Sequence, residues 1–388
     1  MLITVIGGKL QGVEITYLAQ KAGYEVLLID KNDQVPAFGL CDRFVQANVL
    51  NDQEIKTHLE QCDIIFPAFE NLEGLTRLSQ ICQQINKPLV FDLNAYTISS
   101  SKLASDQLFT NLKLSQPALW PDCDFPIVVK PSDGSGSNGV KIFTTHREAQ
   151  QYYQGQFPPT HCVVQQYIDG PSYSIEVIGS MDKYQAFQIT EIVVDAAYDC
   201  KRVTAPVGLP KKLVQDFEAL GIIIAEALKL KGIMDVEVIL HEDQLKVLEI
   251  DARFPSQTPI TVYWSSGVNM VQESVNLFLD EKFPTNQNKV DGQFVIFEHI
   301  TVNEESIQVQ GEHIIVADGP LHLEKHFFGA DEAITNYQNE KKQWVATLIM
   351  VANTEAELKY KKIAVINSIK NQHNINKVID LDPIRINQ

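Results

Sequence analysis

Positive charge is scarce in this sequence: 32 Lys and Arg stand against 49 Asp and Glu, a formal net charge of −17 with His neutral. A basic face able to neutralise a run of phosphates is therefore missing, which excludes duplex binding of the ordinary electrostatic kind. Long apolar runs are missing too. No stretch approaches the roughly 20 residues needed to cross a bilayer, and the opening MLITVIGG has no basic leader and no small-residue cleavage site. The chain reads as cytoplasmic. Its six cysteines (Cys41, Cys62, Cys82, Cys123, Cys162 and Cys200) include no CxxC pair, and no His-rich spacing suggests zinc. They read as buried free thiols. What is present is ordinary globular composition, 45% hydrophobic and 21% charged over 388 residues, enough for two or three domains. The partners expected are small molecules, cationic ones among them.

The first ninety residues alternate β-rich and helical patterns. LITVIGG is followed by a helical run over Val13 to Lys21 and then by EVLLID, ending at Asp30. A further apolar run, Asp63 to Phe69, precedes the helical LEGLTRLSQICQQIN and the short PLVFD at Pro88 to Asp92. Such alternation predicts an α/β unit, a parallel sheet covered by helices, with ligands at the carboxyl ends of its strands. Gly7 and Gly12 fill the outer places of GxGxxG, but Lys9 takes the middle one, where only glycine lets a backbone approach a pyrophosphate. The turn then reads either as helix-on-strand packing or as a loop presenting Leu10 and Gln11 to a small substrate. Glu70, just past the third strand, is placed to hold an ammonium group or to sit solvated in a helix's first turn.

The middle of the chain carries more chemistry. Ile127 to Pro131 is a short β-branched run containing Lys130, and it leads into Ser132-Asp133-Gly134-Ser135-Gly136-Ser137-Asn138-Gly139-Val140. A loop this rich in small residues offers free backbone N–H groups, with Ser135, Gly136 and Ser137 at its centre, as a cover over polyphosphate. Val140 stands where a Walker motif needs Lys, so a P-loop is disfavoured; a strand lysine beneath a mobile loop remains. Next, Gln165, Gln166, Tyr167 and Ile168 form an extended linker able to offer backbone groups to an adenine edge. Two apolar strands around His241-Glu242-Asp243-Gln244 make a hairpin, and period 2 places Glu237 on one strand and Glu249 with Asp251 on the other, all on one face. Three such carboxylates repel unless a cation sits between them, and hard oxygen ligands suit Mg²⁺. Arg253 shares that face and can clamp a carboxylate or phosphate bidentately.

This ordered set resembles the ATP-grasp superfamily of carboxylate–amine ligases, over roughly residues 1 to 285. The resemblance implies an α/β and α+β architecture. A Rossmann-like unit would span residues 1–95, an ATP-grasp pair of α+β subdomains 96–285, and a small α+β domain 286–388. It maps the family's two nucleotide-contacting lysines onto Lys102 and Lys130, and its metal-binding acidic pair onto Glu237 and Glu249. Gln165-Gln166 stand where many relatives have paired Glu, Ser172 where they have an acidic ribose contact, and Asp251 where they have Asn. Within the superfamily, GGKLQG, EVLLIDKN, Tyr198-Asp199-Cys200-Lys201-Arg202-Val203 and above all EIDARFPSQTP at Glu249 to Pro259 look like the ligases of pyrrolysine biosynthesis. That branch joins the carboxyl of 3-methyl-D-ornithine to the ε-amine of L-lysine, with ATP and two Mg²⁺ ions, and the resemblance admits a homodimer.

The implied chemistry asks for positioning and charge neutralisation. Lys102 and Lys130 would hold phosphates; Glu237, Glu249 and Asp251 the metals; Arg253 the substrate carboxylate and oxyanion. Glu70, Glu176 and Asp199 are candidates for the substrates' spare ammonium groups, and Ser256, Gln257 and Thr258 for an amino-acid backbone. An ion pair between Asp199 and Lys201 is the competing reading of that stretch. Residues 286 to 388 show β-like runs at Phe294 to His299, Ile314 to Ala317 and Trp344 to Val351, a helical Glu355 to Asn371, and an exposed-looking patch at Lys325 to Phe328. Two other enzyme readings stay open, a dipeptide or D-alanine–D-alanine type ligase and a Rossmann oxidoreductase.

Overall fold

The structure, a computed structural model, describes residues 1–133, 139–180, 182–283 and 292–383. The chain opens with β1 (Leu2–Ile6), α1 (Leu10–Lys21), β2 (Glu25–Asp30), β3 (Arg43–Gln46), α2 (Asp52–Leu59), β4 (Ile64–Pro67) and α3 (Leu72–Gln84). The strands form a parallel sheet in the order β3-β2-β1-β4. Ile3, Val5, Val26, Leu28, Ile64 and Phe66 are all fully buried in it, each worth about 1.5–3 kcal/mol of apolar transfer. Two glycines explain the opening turn. A Cβ at Gly12 would lie 2.2 Å from the Gly7 carbonyl oxygen, and Gly7 itself has φ +104°, so both serve the close packing of helix against strand. The PLVFD run differs from expectation: it contributes a single bridge, Leu89 to Ile65. Asp92 then turns the chain by capping the next helix, accepting the Asn94 and Ala95 N–H groups.

The middle begins with α4 (Leu93–Ser99) and α5 (Lys102–Asn111) and continues through β5 (Ile127–Pro131), β6 (Lys141–Phe143), α6 (His146–Tyr152) and β7 (Cys162–Gln166). β5 is the centre of a three-stranded sheet, antiparallel to β6 and β7. After it come β8 (Ser172–Ser180), β9 (Lys183–Ala186), β10 (Thr190–Val194), β11 (Cys200–Ala205), α7 (Lys211–Leu228), β12 (Gly232–His241) and β13 (Gln244–Asp251), then α8 (Thr258–Ser266) and α9 (Met270–Asp280). The hairpin between β12 and β13 turns at Glu242 and Asp243, with φ +49° and +59°. Two consecutive left-handed residues match the right-handed twist of the flanking strands.

The remainder comprises β14 (Phe294–Val302), β15 (Ser306–Val309), α10 (His313–Val316), β16 (His322–Lys325), β17 (Glu332–Thr335), β18 (Trp344–Ala352), α11 (Glu355–His373) and β19 (Lys377–Asp380). It continues the same large sheet, because β14 pairs antiparallel with β11. The path runs β13-β12-β8-β10-β11-β14-β18-β17-β16. One expectation fails here. The run at Ile314 to Ala317 lies in the short helix α10, because Glu312 and His313 start a turn before the apolar residues arrive. The Lys325 to Phe328 patch divides: Lys325 and His326 are exposed, while Phe327 is buried and packs edge-on against Trp344 at 5.7 Å. A capping box at Thr354 and Glu357 starts α11. All six cysteines are free, Cys62 and Cys82 buried and the other four half-buried. Among the described residues no helix is long and apolar enough to cross a membrane.

Candidate active site

Three neighbouring strands, β8, β12 and β13, present an acidic face. Register sets Glu176 against Asp235 and Asp235 against Asp251; it sets Ser174 against Glu237 and Glu237 against Glu249. Because side chains alternate along a strand, these two cross-strand rows share one face. The three carboxylates expected at Glu237, Glu249 and Asp251 are there, joined by Asp235, which the same alternation would have revealed two residues before Glu237. Like charge in a poorly solvated place raises carboxyl pKa values. Burial first, then Glu249 and Asp251, push Glu237 up to about 7. Burial lifts Asp251 to about 7 against the pull of Arg253; burial and Asp251 raise Asp235.

Cations line up against this face. Lys102, first residue of α5, pairs with Glu249. Its backbone N–H donates to the Ser132 carbonyl at 2.9 Å, tying the helix start to the chain leaving β5. Lys130, on β5, is buried enough that desolvation lowers its pKa. Arg253 reaches Asp251 at 3.0 Å and Glu70 at 2.9 Å. Burial opposes the guanidinium charge, but Asp251, Glu70 and Asp235 outweigh it and hold the group protonated.

These groups surround one cavity of about 460 Å³. Lys102, Lys130, Gln165, Gln166, Tyr167 and Ile168 line it, as do Asp235, Glu237, Glu249, Asp251 and Arg253. So do Asp199, Ser256, Gln257, Thr258 and Glu312. Ser135, Gly136 and Ser137 lie outside the described residues. Leu10, Gln11, Glu70 and Glu176 are not on the cavity wall. Gln11 Nε2 donates to Glu70 Oε1 at 3.0 Å, so Glu70, expected to take an ammonium, here meets Arg253 and Gln11. Asp199 accepts from the His313 N–H at 3.1 Å and pairs with His313 Nδ1 at 2.8 Å. The competing pair between Asp199 and Lys201 does not form: fully buried Lys201 reaches Asp380 at 2.5 Å and Asp382 at 2.7 Å.

Local strain and buried polar contacts fix the far wall. Gln257 precedes α8 with φ +69°, a conformation costly for a non-glycine residue and typical of constrained sites. The first turn of α8 is held by buried Glu14, whose Oε1 accepts from the Ile260 N–H at 2.6 Å. Glu312, from the chain between β15 and α10, carries no motif in the sequence, and nothing local could have announced it.

Metal fits this face as a partial set. Among the described residues no cluster of three or more His, Cys, Asp or Glu forms a ready cage. Arg253 pairs with Asp251 and Lys102 with Glu249, while Glu237 and Glu249 stand adjacent on paired strands. Mg²⁺ is commonly bound through one or two carboxylates and completed by phosphates and water, so this donor pair suits it.

A family model described as an ATP-grasp domain matches residues 99–257. The 3-methyl-D-ornithine–L-lysine ligase of Methanosarcina mazei is 36% identical over 315 residues, 81% of this chain and 81% of that one. The ligase of the same name from Methanosarcina acetivorans is also 36% identical over 315 residues, covering 81% and 83%. In fold, the chain is similar to N5-carboxyaminoimidazole synthetase from Staphylococcus aureus, crystallised with ADP. That likeness has a TM-score of 0.69 at 16% identity, over 94% of this chain and 96% of that one.

Proposed function

The chain belongs to the family of 3-methyl-D-ornithine–L-lysine ligases, and from that premise we propose that it joins the carboxyl of 3-methyl-D-ornithine to the ε-amine of L-lysine at the expense of ATP, a step of pyrrolysine biosynthesis. The observation that carries this reading is the convergence of Lys102, Lys130, Glu237, Glu249 and Arg253 on one cavity. Two lysines, a carboxylate pair and a guanidinium are what transfer of a phosphoryl group to a carboxylate requires, because that chemistry is mostly positioning and charge neutralisation.

A carboxylate is a poor electrophile, since an oxide cannot leave. Attack of the substrate carboxylate oxygen on the γ-phosphorus breaks the bond to ADP and leaves an acyl phosphate. The neutral ε-amine then adds to the acyl carbon, the carbon–oxygen bond to phosphate breaks, and the nitrogen sheds a proton. Lys102 and Lys130 bind the phosphates. Glu237 and Glu249 would hold Mg²⁺, which supplies charge neutralisation between phosphates when bound. Arg253, kept charged by Asp251, Glu70 and Asp235, orients the carboxylate and stabilises the oxyanion of the tetrahedral intermediate. Its fork geometry suits two oxygens at once. The end of β7 and the chain leaving it, Gln165 to Ile168, take the adenine edge, while Ser256, Gln257 and Thr258 take amino-acid backbone groups.

The deciding experiment offers the protein ATP, Mg²⁺, L-lysine and either 3-methyl-D-ornithine or D-ornithine, and analyses the products by mass spectrometry. An isopeptide mass together with stoichiometric ADP and phosphate is the expected result. ADP and phosphate without a coupled product, or product formation independent of ATP, would overturn the reading.

A further inference from the structure

Glu14 has no place in the chemistry above, yet it is a carboxyl group 2% exposed on α1, bonded to a backbone group 246 residues further along the chain. The helix α8 needs such a partner. The first N–H groups of a helix find no acceptor within it. Thr258 N–H turns back to the Ser256 carbonyl at 2.8 Å, Pro259 has no N–H, and Thr261 N–H makes the regular helical bond to the Gln257 carbonyl at 3.3 Å. Ile260 N–H is left over. Gln257 at the N-cap makes no side-chain capping bond, and Ile260 is fully buried, so neither the helix nor solvent satisfies that donor. Glu14 Oε1 accepts it at 2.6 Å.

The same turn forms part of the cavity. Ser256, Gln257 and Thr258 line it, whereas Glu14 does not. Gln257 holds φ +69°, a conformation that persists only where its surroundings over-determine it. By fixing the backbone three residues beyond Gln257, Glu14 ties this wall to the N-terminal α/β unit. Burial disfavours a charged carboxylate here and raises its pKa; an apolar residue would pack the interface without that cost but would leave the Ile260 N–H unsatisfied. Farther along α8, α1 makes a second contact: Trp264 Nε1 donates to the Tyr17 hydroxyl at 2.8 Å, and Tyr17 donates to Glu332 at 2.6 Å. None of those three residues lines the cavity. One helix thus holds α8 twice, once behind the cavity wall and once away from it.

We propose that Glu14 is a positioning residue for the amino-acid substrate: reaching from the N-terminal unit, it fixes the backbone at Ile260 and thereby the Ser256 to Thr258 wall against which that substrate binds. The inference rests on the ligase reading and adds to it a residue outside the cavity that governs an amino acid and not ATP. Lys102, Lys130 and Gln165 to Ile168, which take the nucleotide, belong to α5, β5, and β7 with the chain leaving it, away from this helix contact.

Calorimetric titration of the full chain, with Mg²⁺ and a non-hydrolysable ATP analogue, tests it using D-ornithine and L-lysine as separate probes. Glu14→Ala should weaken binding of at least one of them by about tenfold, the scale of one buried hydrogen bond left unmade, and leave binding of the ATP analogue unchanged. Glu14→Gln keeps an acceptor oxygen for the Ile260 N–H and should restore most of that affinity. Tyr17→Phe removes the hydroxyl between Trp264 and Glu332, so it should lower Tm and leave both amino-acid affinities alone. Unchanged affinity for both probes in Glu14→Ala, a Glu14→Gln protein as weak as Glu14→Ala, or a wild type that binds neither probe would overturn the proposal. So would a loss in Tyr17→Phe as large as in Glu14→Ala, or an equal loss for the ATP analogue, because a general loosening of the helix contact predicts both. Should Glu14→Ala fail to fold, Glu14→Asp, one methylene shorter, withdraws the carboxyl group from Ile260 and should show the same selective loss; unchanged affinity would again count against it. Failure to form isopeptide in the product assay would sink the ligase reading, while the probe comparison still decides the role of Glu14.

Discussion

Replacing Glu176 with glutamine removes one negative charge from the middle of β8 and keeps the shape of the side chain. Glu176 is 0% exposed. Burial lifts its pKa from 4.5 to about 7, and neither carboxylate oxygen has a hydrogen-bond partner among the described residues. The fold thus favours the protonated form, so this residue's contribution is fully present below about pH 4.5 and is lost as pH rises through about 7. At about 1.4 kcal/mol per unit, the interval corresponds to about 3 kcal/mol. Glutamine does not titrate. Urea denaturation of both proteins between pH 4.5 and 8 should show the stability of the variant rising relative to wild type by about 3 kcal/mol across that range. Glu237 and Asp251 titrate with the same sign, and His299, lowered to about 4, with the opposite one, but all three are present in both proteins and cancel in the difference. A difference that does not change with pH, or that shrinks as pH rises, would refute the idea that burial of this charge dominates its local energetics.

Glu249→Gln should cut phosphate release by about 10² or more, with a Tm little changed because Glu237 loses a charged neighbour while Lys102 loses its ion-pair partner; near-normal turnover removes the metal assignment. In Arg253→Lys a point charge replaces the fork that spans Asp251 and Glu70, so kcat should fall by about 10² while KM for ATP holds; steady-state kinetics decide. Lys201→Met leaves Asp382 without its cation, while Asp380 keeps Arg202 at 2.6 Å. Because Asp382 is 76% exposed, water takes up part of the loss, and destabilisation of about 2 kcal/mol is expected. Digestion with carboxypeptidase should then shorten the C-terminus faster than in wild type.

Local patterns decided how much of the fold could be read in advance. The α/β opening was legible because its strands are nearly continuous apolar runs, the mark of a parallel sheet buried on both faces. The β12–β13 hairpin was legible from its alternation and its polar turn. β3 escaped because RFVQ is a short, half-exposed edge strand with little apolar signal. The Ile314 to Ala317 run misled because four apolar residues fit a short helix as well as a strand, and periodicity cannot separate the two at that length. That the last hundred residues extend the large sheet through the β11–β14 pairing was beyond reach, since pairing between distant segments leaves no periodic trace in either.

The same division runs through the candidate site. Glu237, Glu249 and Asp251 were found because period 2 forces them onto one face, and Asp235 was findable by the identical rule. Lys201 shows what the rule forbids: neighbours on a strand point to opposite faces, so while Cys200 lines the cavity, Lys201 turns away toward Asp380 and Asp382. Arg253 followed from its spacing after Asp251, but its second partner, Glu70, lies in another part of the fold, and no spacing predicts a guanidinium meeting it. Glu312 is the extreme case. Its hydroxyl donor Ser256 precedes α8, and the neighbouring Gln257 meets His299 of β14, which meets Thr347 of β18, three elements brought to it only by the tertiary structure. Groups that share one strand pair are written into the sequence as a period, whereas groups that share a cavity are related only by the fold. The acidic face belongs to the first kind. The cavity wall at Glu312 belongs to the second.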